Sequence, residues 1–288
     1  TDNVANSTTG TASVTTISID QTVQALNSLN SSTPNGNYTT DEVISINTIF
    51  NSVVVVSGSP QLTLETGSPD AVVDYTSGSN GFALLFNYTI ASGNNSSDLD
   101  YASTSALALN GGSINDIAGN PATLTLPALG EANSLGANKD LVIDTTPPSI
   151  SAIETGAFSW GTHLNATEDN SNGTVSVTTS GVENGQVVTI TLNSATYTNT
   201  VSSDATTVTI TAAGLQGLTE GSVTMTADVS DAAGNAATQV TSSPFTYDKT
   251  APTISQVTST TNDGSYNVPD EINITVGFSE AVTLSGGN

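Results

Sequence analysis

The sequence predicts an all-β protein made of antiparallel β-sandwiches arranged end to end. Runs such as TVSVTTSG (174–181), VVTITLN (187–193) and TTVTITA (206–212) alternate apolar residues with Thr or Ser, the pattern of a half-buried strand. Clusters of Gly, Asn, Asp and Pro separate these runs at short spacing, as a sandwich requires. The third observation is a repeat: DTTPPSIS begins at Asp144, and the similar DKTAPTIS begins at Asp248, 104 positions later.

The charge balance limits the classes of function. The 288 residues include 26 Asp and Glu but only 2 Lys and no Arg, so the net charge is −24. We therefore expect no nucleic-acid partner, because phosphate neutralisation needs Lys and Arg. No stretch approaches the roughly 20 apolar residues of a membrane helix, so we expect no direct membrane insertion. The chain has no Cys, which excludes disulfides and thiol catalysis.

Almost every element of the chain reads as strand. SVTMTADVS (222–230) continues the alternating pattern of the runs before it. Only LNSLN (26–30) and DLDYASTSALALN (98–110) hint at helix, and there we expect at most a short turn.

The repeats predict the domain organisation. A strand ends at each linker Asp (LVID and FTYD), and a Pro-bearing segment follows, which reads as last strand, linker and first strand of a new domain. Asp20 and Asp248 differ by 228 positions, as do Tyr38 and Tyr266. After one inserted residue, Asp41–Glu42 matches Asp270–Glu271. We therefore predict the end of one domain (1–20), a first full domain (21–144), a second (145–248), and the start of a third that resembles the first (249–288).

The motif D-x-T-x-P-x-I, followed later by V-(S/T)-D-x-A-G-N-x-A, resembles bacterial immunoglobulin-like domains. These domains occur as tandem extender modules of large surface adhesins, including the RTX type. DTTPPSI (144–150) and GLTEGSVTMTADVSDAAGNAAT (217–238) carry the resemblance best, whereas 21–144 is similar to more divergent cadherin-like or immunoglobulin-like variants. The resemblance implies an extracellular or cell-surface string of non-enzymatic β-sandwiches, in which Ca²⁺ occupies the domain junctions.

In such a string, acidic residues from three sources are expected at each junction: the loop after the first strand, the linker, and the next domain's D-x-x-(G/A)-N loop. The predicted metal ligands are Asp20 and Asp116 at one junction, Asp41, Glu42, Asp144, Asp228 and Asp231 at the next, and Glu168, Asp169 and Asp248 at the last. Ca²⁺ accepts 6–8 oxygen ligands in loose geometry and would relieve the repulsion among these carboxylates. The alternative is that D-x-x-G-N is only a turn, in which Asp bonds to its own backbone.

These observations favour a structural stalk whose partners are neighbouring copies of the same domains. One alternative is a subunit that self-associates into a filament or sheath. Another is a module that binds glycan or protein, which would need an exposed aromatic cluster, and Trp160, Phe158 and Tyr197 are the residues available for it. An enzyme is the least favoured class, because His163 is the only histidine and nothing places two carboxylates in a cleft.

Overall fold

The computed structural model of the chain describes residues 22–284. They divide into two units, one reaching to Thr146 and including Ala233–Asn235, the other holding Pro147–Ala232 and the residues from Ala236 onward. The strand predicted within residues 1–20, with the candidate ligand Asp20, lies outside the described residues. The domain boundaries derived from the sequence stay predictions.

Strands dominate the first unit. Its elements are β1 (Leu26–Ser31), β2 (Gly36–Tyr38), β3 (Val43–Ser57), β4 (Gln61–Leu64), β5 (Ala71–Ser77), β6 (Gly81–Thr89), β7 (Leu107–Ala108), β8 (Ser113–Asn115), a single helical turn α1 (Leu135–Asn138) and β9 (Leu141–Ile143). The main sheet has the order β1-β3-β6-β5-β4-β7, with β8 also paired to β3. Its pairs are antiparallel, and β2 and β9 form a separate parallel pair.

The long strand β3 organises the core of the first unit. Its residues 43–49 pair with β6, the register shifts between Ile49 and Val54, and residues 55–57 pair with β8. Alternate side chains of β3, among them Ile44, Ile46 and Phe50, are buried. Full burial of each such side chain contributes about 1.5–3 kcal/mol, so the period-2 pattern of the sequence sets which face of the strand packs inward.

The second unit contains shorter strands in several sheets. Its elements are β10 (Ser149–Ile150), β11 (His163–Asn165), β12 (Gly173–Ser180), β13 (Val187–Leu192), β14 (Ala195–Thr200), β15 (Ala205–Ile210), α2 (Ala212–Gln216), β16 (Gly221–Val223), β17 (Thr226–Asp228), β18 (Val240–Thr241), β19 (Phe245–Asp248), β20 (Ile254–Ser259) and β21 (Ile274–Phe278), with 3₁₀ turns at Thr155–Ala157 and Glu168–Asn170. The sheet orders are β10-β12-β15, β11-β19-β16, β14-β13-β17-β18 and β20-β21. All these pairs are antiparallel except β11–β19. The predicted all-β class is confirmed.

An aromatic group fills the core of the second unit. Phe158 stacks on Trp160 at a centroid distance of 5.4 Å, and Phe245 meets both rings edge-on. Phe158 and Trp160 are buried, so they do not form the exposed cluster that a glycan- or protein-binding module would need. Gly173 lies directly against the indole, where an added Cβ would stand 2.4 Å from a Trp160 ring carbon.

The hairpins β1–β3 and β20–β21 repeat one another with a constant offset of 228 residues. Leu26 pairs with Phe50 and Ile254 pairs with Phe278, and the same bulge follows the first pair in each hairpin. The loops agree as well, because Ser45 N donates to Thr33 Oγ1 at 2.9 Å and Asn273 N donates to Thr261 Oγ1 at 3.1 Å.

This constant offset corrects one expectation. The sequence comparison placed an inserted residue before Asp270, so that Asp41 matched Asp270. The structure shows no insertion, because Glu42 and Asp270 make the same backbone bond within their loops. Glu42 is therefore the counterpart of Asp270.

Two local predictions fail for identifiable reasons. LNSLN is strand β1, and the bulge between Leu26 and Ser28 gives Leu26 and Leu29 the spacing of three that resembles a helix. SVTMTADVS is two strands, because β16 pairs with β19 whereas β17 pairs with β13. The alternation is present throughout, but it does not show where the chain passes from one sheet to another.

Candidate functional site

The two linker aspartates have the same local structure. Asp144 Oδ1 accepts a hydrogen bond from Thr146 N at 2.9 Å, and Asp248 Oδ1 accepts one from Thr250 N at 3.0 Å. In both, the side chain bonds the backbone two residues further on, which is an Asx turn. The D-x-T motif therefore shapes the chain as it leaves β9 and β19.

Glutamates in the predicted first-to-second-strand loops accept hydrogen bonds from backbone N–H groups three residues earlier in the chain. Glu42 Oε2 accepts from Thr39 N at 2.7 Å, and Glu168 Oε2 accepts from Asn165 N at 3.1 Å. The Asn165 side chain in turn accepts from Glu168 N at 3.2 Å, so the two residues bond each other reciprocally at the start of the 3₁₀ turn. Asp41 is exposed beside Glu42 and adopts a left-handed φ of 71°.

Asp116 closes its own D-x-x-G-N turn. Its Oδ1 accepts from Asn120 N and its Oδ2 from Asn120 Nδ2, both at 2.7 Å. The Asn120 side chain first, and then backbone N–H groups of the turn, lower the pKa of Asp116. The side chain is 4% exposed. Asp116 thus has the turn-capping role that the sequence left open as an alternative.

The second D-x-x-G-N loop begins at Asp231, which is buried. The residues 233–235 belong to the first unit, where Asn235 Nδ2 donates to the carbonyl of Asp144 at 2.9 Å and Asn235 Oδ1 accepts from Thr39 Oγ1.

Asp228 lies on β17, and both of its carboxylate oxygens accept from Gln239 Nε2 at 2.9 Å.

Asp169 is drawn into the core of the second unit. It is 5% exposed and accepts a hydrogen bond from the Tyr247 hydroxyl at 2.7 Å. Burial of the ring, followed by this bond and the nearby carboxylates Asp169 and Glu220, raises the pKa of Tyr247 to about 12. Asp169 thus bonds to the core tyrosine of β19.

A cavity of about 630 Å³ in the second unit gathers three other carboxylates, those of Glu168, Asp248 and Glu280. Glu280 Oε1 is shielded from solvent and has no hydrogen-bond partner. The sequence prediction included Glu168 and Asp248 but missed Glu280. The FSEA segment after β21 offered the only signal, an acid next to a strand end.

Carboxylate, carbonyl and hydroxyl oxygens are the ligands that Ca²⁺ takes, and the lining of this cavity offers them, although Lys249 also lines it. Within residues 22–284, however, no three carboxylate or imidazole side chains are grouped closely enough to form a ready coordination shell. A bound ion would therefore need the exposed side chains of Glu168 and Asp248 to move.

No protein-family model matches the chain, and no curated protein matches it. Solved structures do resemble it. A chain of a 1.5-MDa bacterial ice-binding adhesin, studied for host cell surface retention, has 17% identity and a TM-score of 0.38, covering 80% of this chain and 66% of that one. A bacterial immunoglobulin-like domain from the M. primoryensis ice-binding adhesin has 27% identity and a TM-score of 0.25, covering 35% and 93%.

A Ca²⁺-stabilised adhesin that helps an Antarctic bacterium reach out and bind ice has 20% identity and a TM-score of 0.37, covering 83% of this chain and 51% of that one. The chain is similar to immunoglobulin-like adhesin domains. It spans less than two thirds of the length of two of these adhesin chains. The TM-scores of these three structures are all below 0.5, and the all-β fold is seen in the strands and their pairing. In the part of the chain from 22 to 284, no helix has the length and apolar character needed to cross a bilayer.

Proposed function

We propose that the chain is a structural stalk segment of a large extracellular or cell-surface adhesin, without a catalytic role. The observation that carries this proposal is the repeat at 228 residues, which extends from strand register to individual loop hydrogen bonds. A spacer needs length rather than an active site, and a module that repeats along the chain supplies length. Its partners in this role are neighbouring copies of the same domains along the chain.

Calcium is the second part of the proposal. Glu168, Asp248 and Glu280 would hold one ion, because they line one cavity and Glu280 Oε1 lacks a donor. Asp41, Glu42 and Asp144 would contribute to another, in line with the D-x-T turn that Asp144 shares with Asp248. A bound ion would supply the positive charge that this chain of net charge −24 otherwise lacks.

Thermal unfolding in saturating Ca²⁺ and in chelator tests the calcium proposal. A ligand at a hundred times its Kd stabilises the folded state by about 2.7 kcal/mol, which raises Tm by about 5–11 °C for units of this size. Asp248→Asn and Glu168→Gln keep a hydrogen-bond acceptor for their turns but remove the charge, so each should reduce the calcium-dependent shift. Glu131→Gln, on an exposed side chain of the first unit, is the matched control. A wild-type Tm that is the same in both solutions would refute this part of the proposal.

A further inference from the structure

The chain segment that leaves β19 is attached to the second unit by Glu220. Glu220 Oε1 accepts hydrogen bonds from Lys249 N at 3.0 Å and from Thr250 Oγ1 at 2.7 Å. Glu220 directly precedes β16, and Gly221 pairs with Tyr247 near the end of β19. The antiparallel register therefore brings this carboxylate beside the two residues that follow the strand.

Two further contacts hold the same segment. Asp248 Oδ1 accepts from Thr250 N at 3.0 Å, and the Lys249 ammonium lies 5.8 Å from the centroid of the Tyr247 ring. A cation within about 6 Å of a ring centroid is attracted to the ring face. Tyr247 is itself fixed by its bond to Asp169. Residues 248–250 are thus connected to Glu220, which precedes β16, to Tyr247 of β19 and, through Tyr247, to the buried Asp169.

The first unit holds its corresponding segment with different residues. Thr145 N donates to Asn95 Oδ1 at 2.9 Å, and Thr145 Oγ1 donates to Asn94 O at 3.1 Å. Thr146 Oγ1 also donates to Asn95 Oδ1, at 3.3 Å. The two segments share the D-x-T turn but not the residues that secure it. In both units, therefore, a side chain of the unit bonds the segment that follows its last strand. This side chain is the Asn95 amide in the first unit and the Glu220 carboxylate in the second.

We propose that Glu220 is the positioning residue that fixes residues 248–250 to the second unit. Glu220 Oε1 bonds both residues that follow the strand, Lys249 and Thr250. Hydrogen bonds to an ionised carboxylate are roughly twice as strong as those between neutral groups. Glu220 is therefore the member whose loss should release the segment most.

The test is ¹⁵N relaxation of the backbone amides of Lys249 and Thr250, measured on the full 288-residue chain in chelator. In the wild type, their order parameters should be close to the value of about 0.85 that is typical of rigid backbone, and in Glu220→Ala they should fall below about 0.6. Glu220→Gln keeps an acceptor oxygen and should stay near the wild type, which separates the hydrogen bonds from the charge. Glu131→Ala removes the same charge from an exposed side chain of the first unit and should change nothing.

Thr250→Val provides a second variant that leaves the core of the second unit untouched. It removes one of the two bonds to Glu220, so the Thr250 order parameter should fall to between the wild-type and Glu220→Ala values. The proposal would be overturned by low order parameters in the wild type. It would also be overturned if Glu220→Ala and Thr250→Val had the same order parameters as the wild type. The calcium proposal fails separately, by an unchanged wild-type Tm, because the relaxation measurements contain no calcium.

Discussion

The hydrogen bond between Tyr247 and Asp169 gives the sharpest stability prediction. Tyr247→Phe removes only the hydroxyl, and it leaves a carboxylate that is 5% exposed without the donor that lies 2.7 Å away. Hydrogen bonds to charged groups contribute about 1.5–3 kcal/mol. Since 1 kcal/mol shifts Tm by about 2–4 °C in units of 150–250 residues, we expect Tm of the second unit to fall by about 3–12 °C.

The assay is differential scanning calorimetry of the wild type, Tyr247→Phe, Asp169→Ala and the double variant. The two single losses should overlap in the double variant, because removal of both partners leaves no unpaired group. Tyr266→Phe is the matched control, since the Tyr266 hydroxyl is in an exposed loop and bonds only a backbone carbonyl. A Tyr247→Phe protein that melts within about 1 °C of the wild type, or fully additive losses, would refute the reasoning.

Three further outcomes are expected. Gly173→Ala should destabilise the second unit by about 1–3 kcal/mol in urea titrations because the new methyl meets the Trp160 ring, whereas Gly156→Ala, with open space around it, should be nearly neutral. Burial and Asp169 raise the pKa of Tyr247 to about 12, so stability should be constant below about pH 10 and fall as the pH rises towards 12, and Tyr247→Phe should remove that part of the loss. The Asp116 pKa is lowered, so its contribution is present above about pH 4 and is lost as the pH falls further; Asp116→Asn should therefore flatten the acid limb of a stability–pH curve, and an unchanged limb would contradict this.

The fold class was predictable because alternation of apolar residues with Thr and Ser directly sets the buried face of each strand. β12, β13 and β15 lie within a residue or two of their predicted positions. Strand partners were not predictable in the same way. The bulge in β1 imitates helical spacing, and the division of β16 from β17 depends on two different partner strands.

The candidate site was predictable only where its residues belong to a recurring local motif. The linker aspartates stand out because D-x-T recurs, and Asp248 does line a cavity with Glu168. Glu280 joins them from beyond β21, a proximity that only the folded chain reveals. Asp228, which the sequence predicts as a junction ligand, accepts hydrogen bonds from Gln239, eleven residues away, a contact that arises because β17 pairs with β18.

Small-angle scattering of the full chain tests the stalk most directly. A compact globule of 288 residues would have a radius of gyration of about 19 Å. The stalk account predicts a radius of gyration clearly larger than this value in Ca²⁺. A radius near 19 Å in Ca²⁺ would contradict the account, because modules packed against one another would not extend anything from a surface.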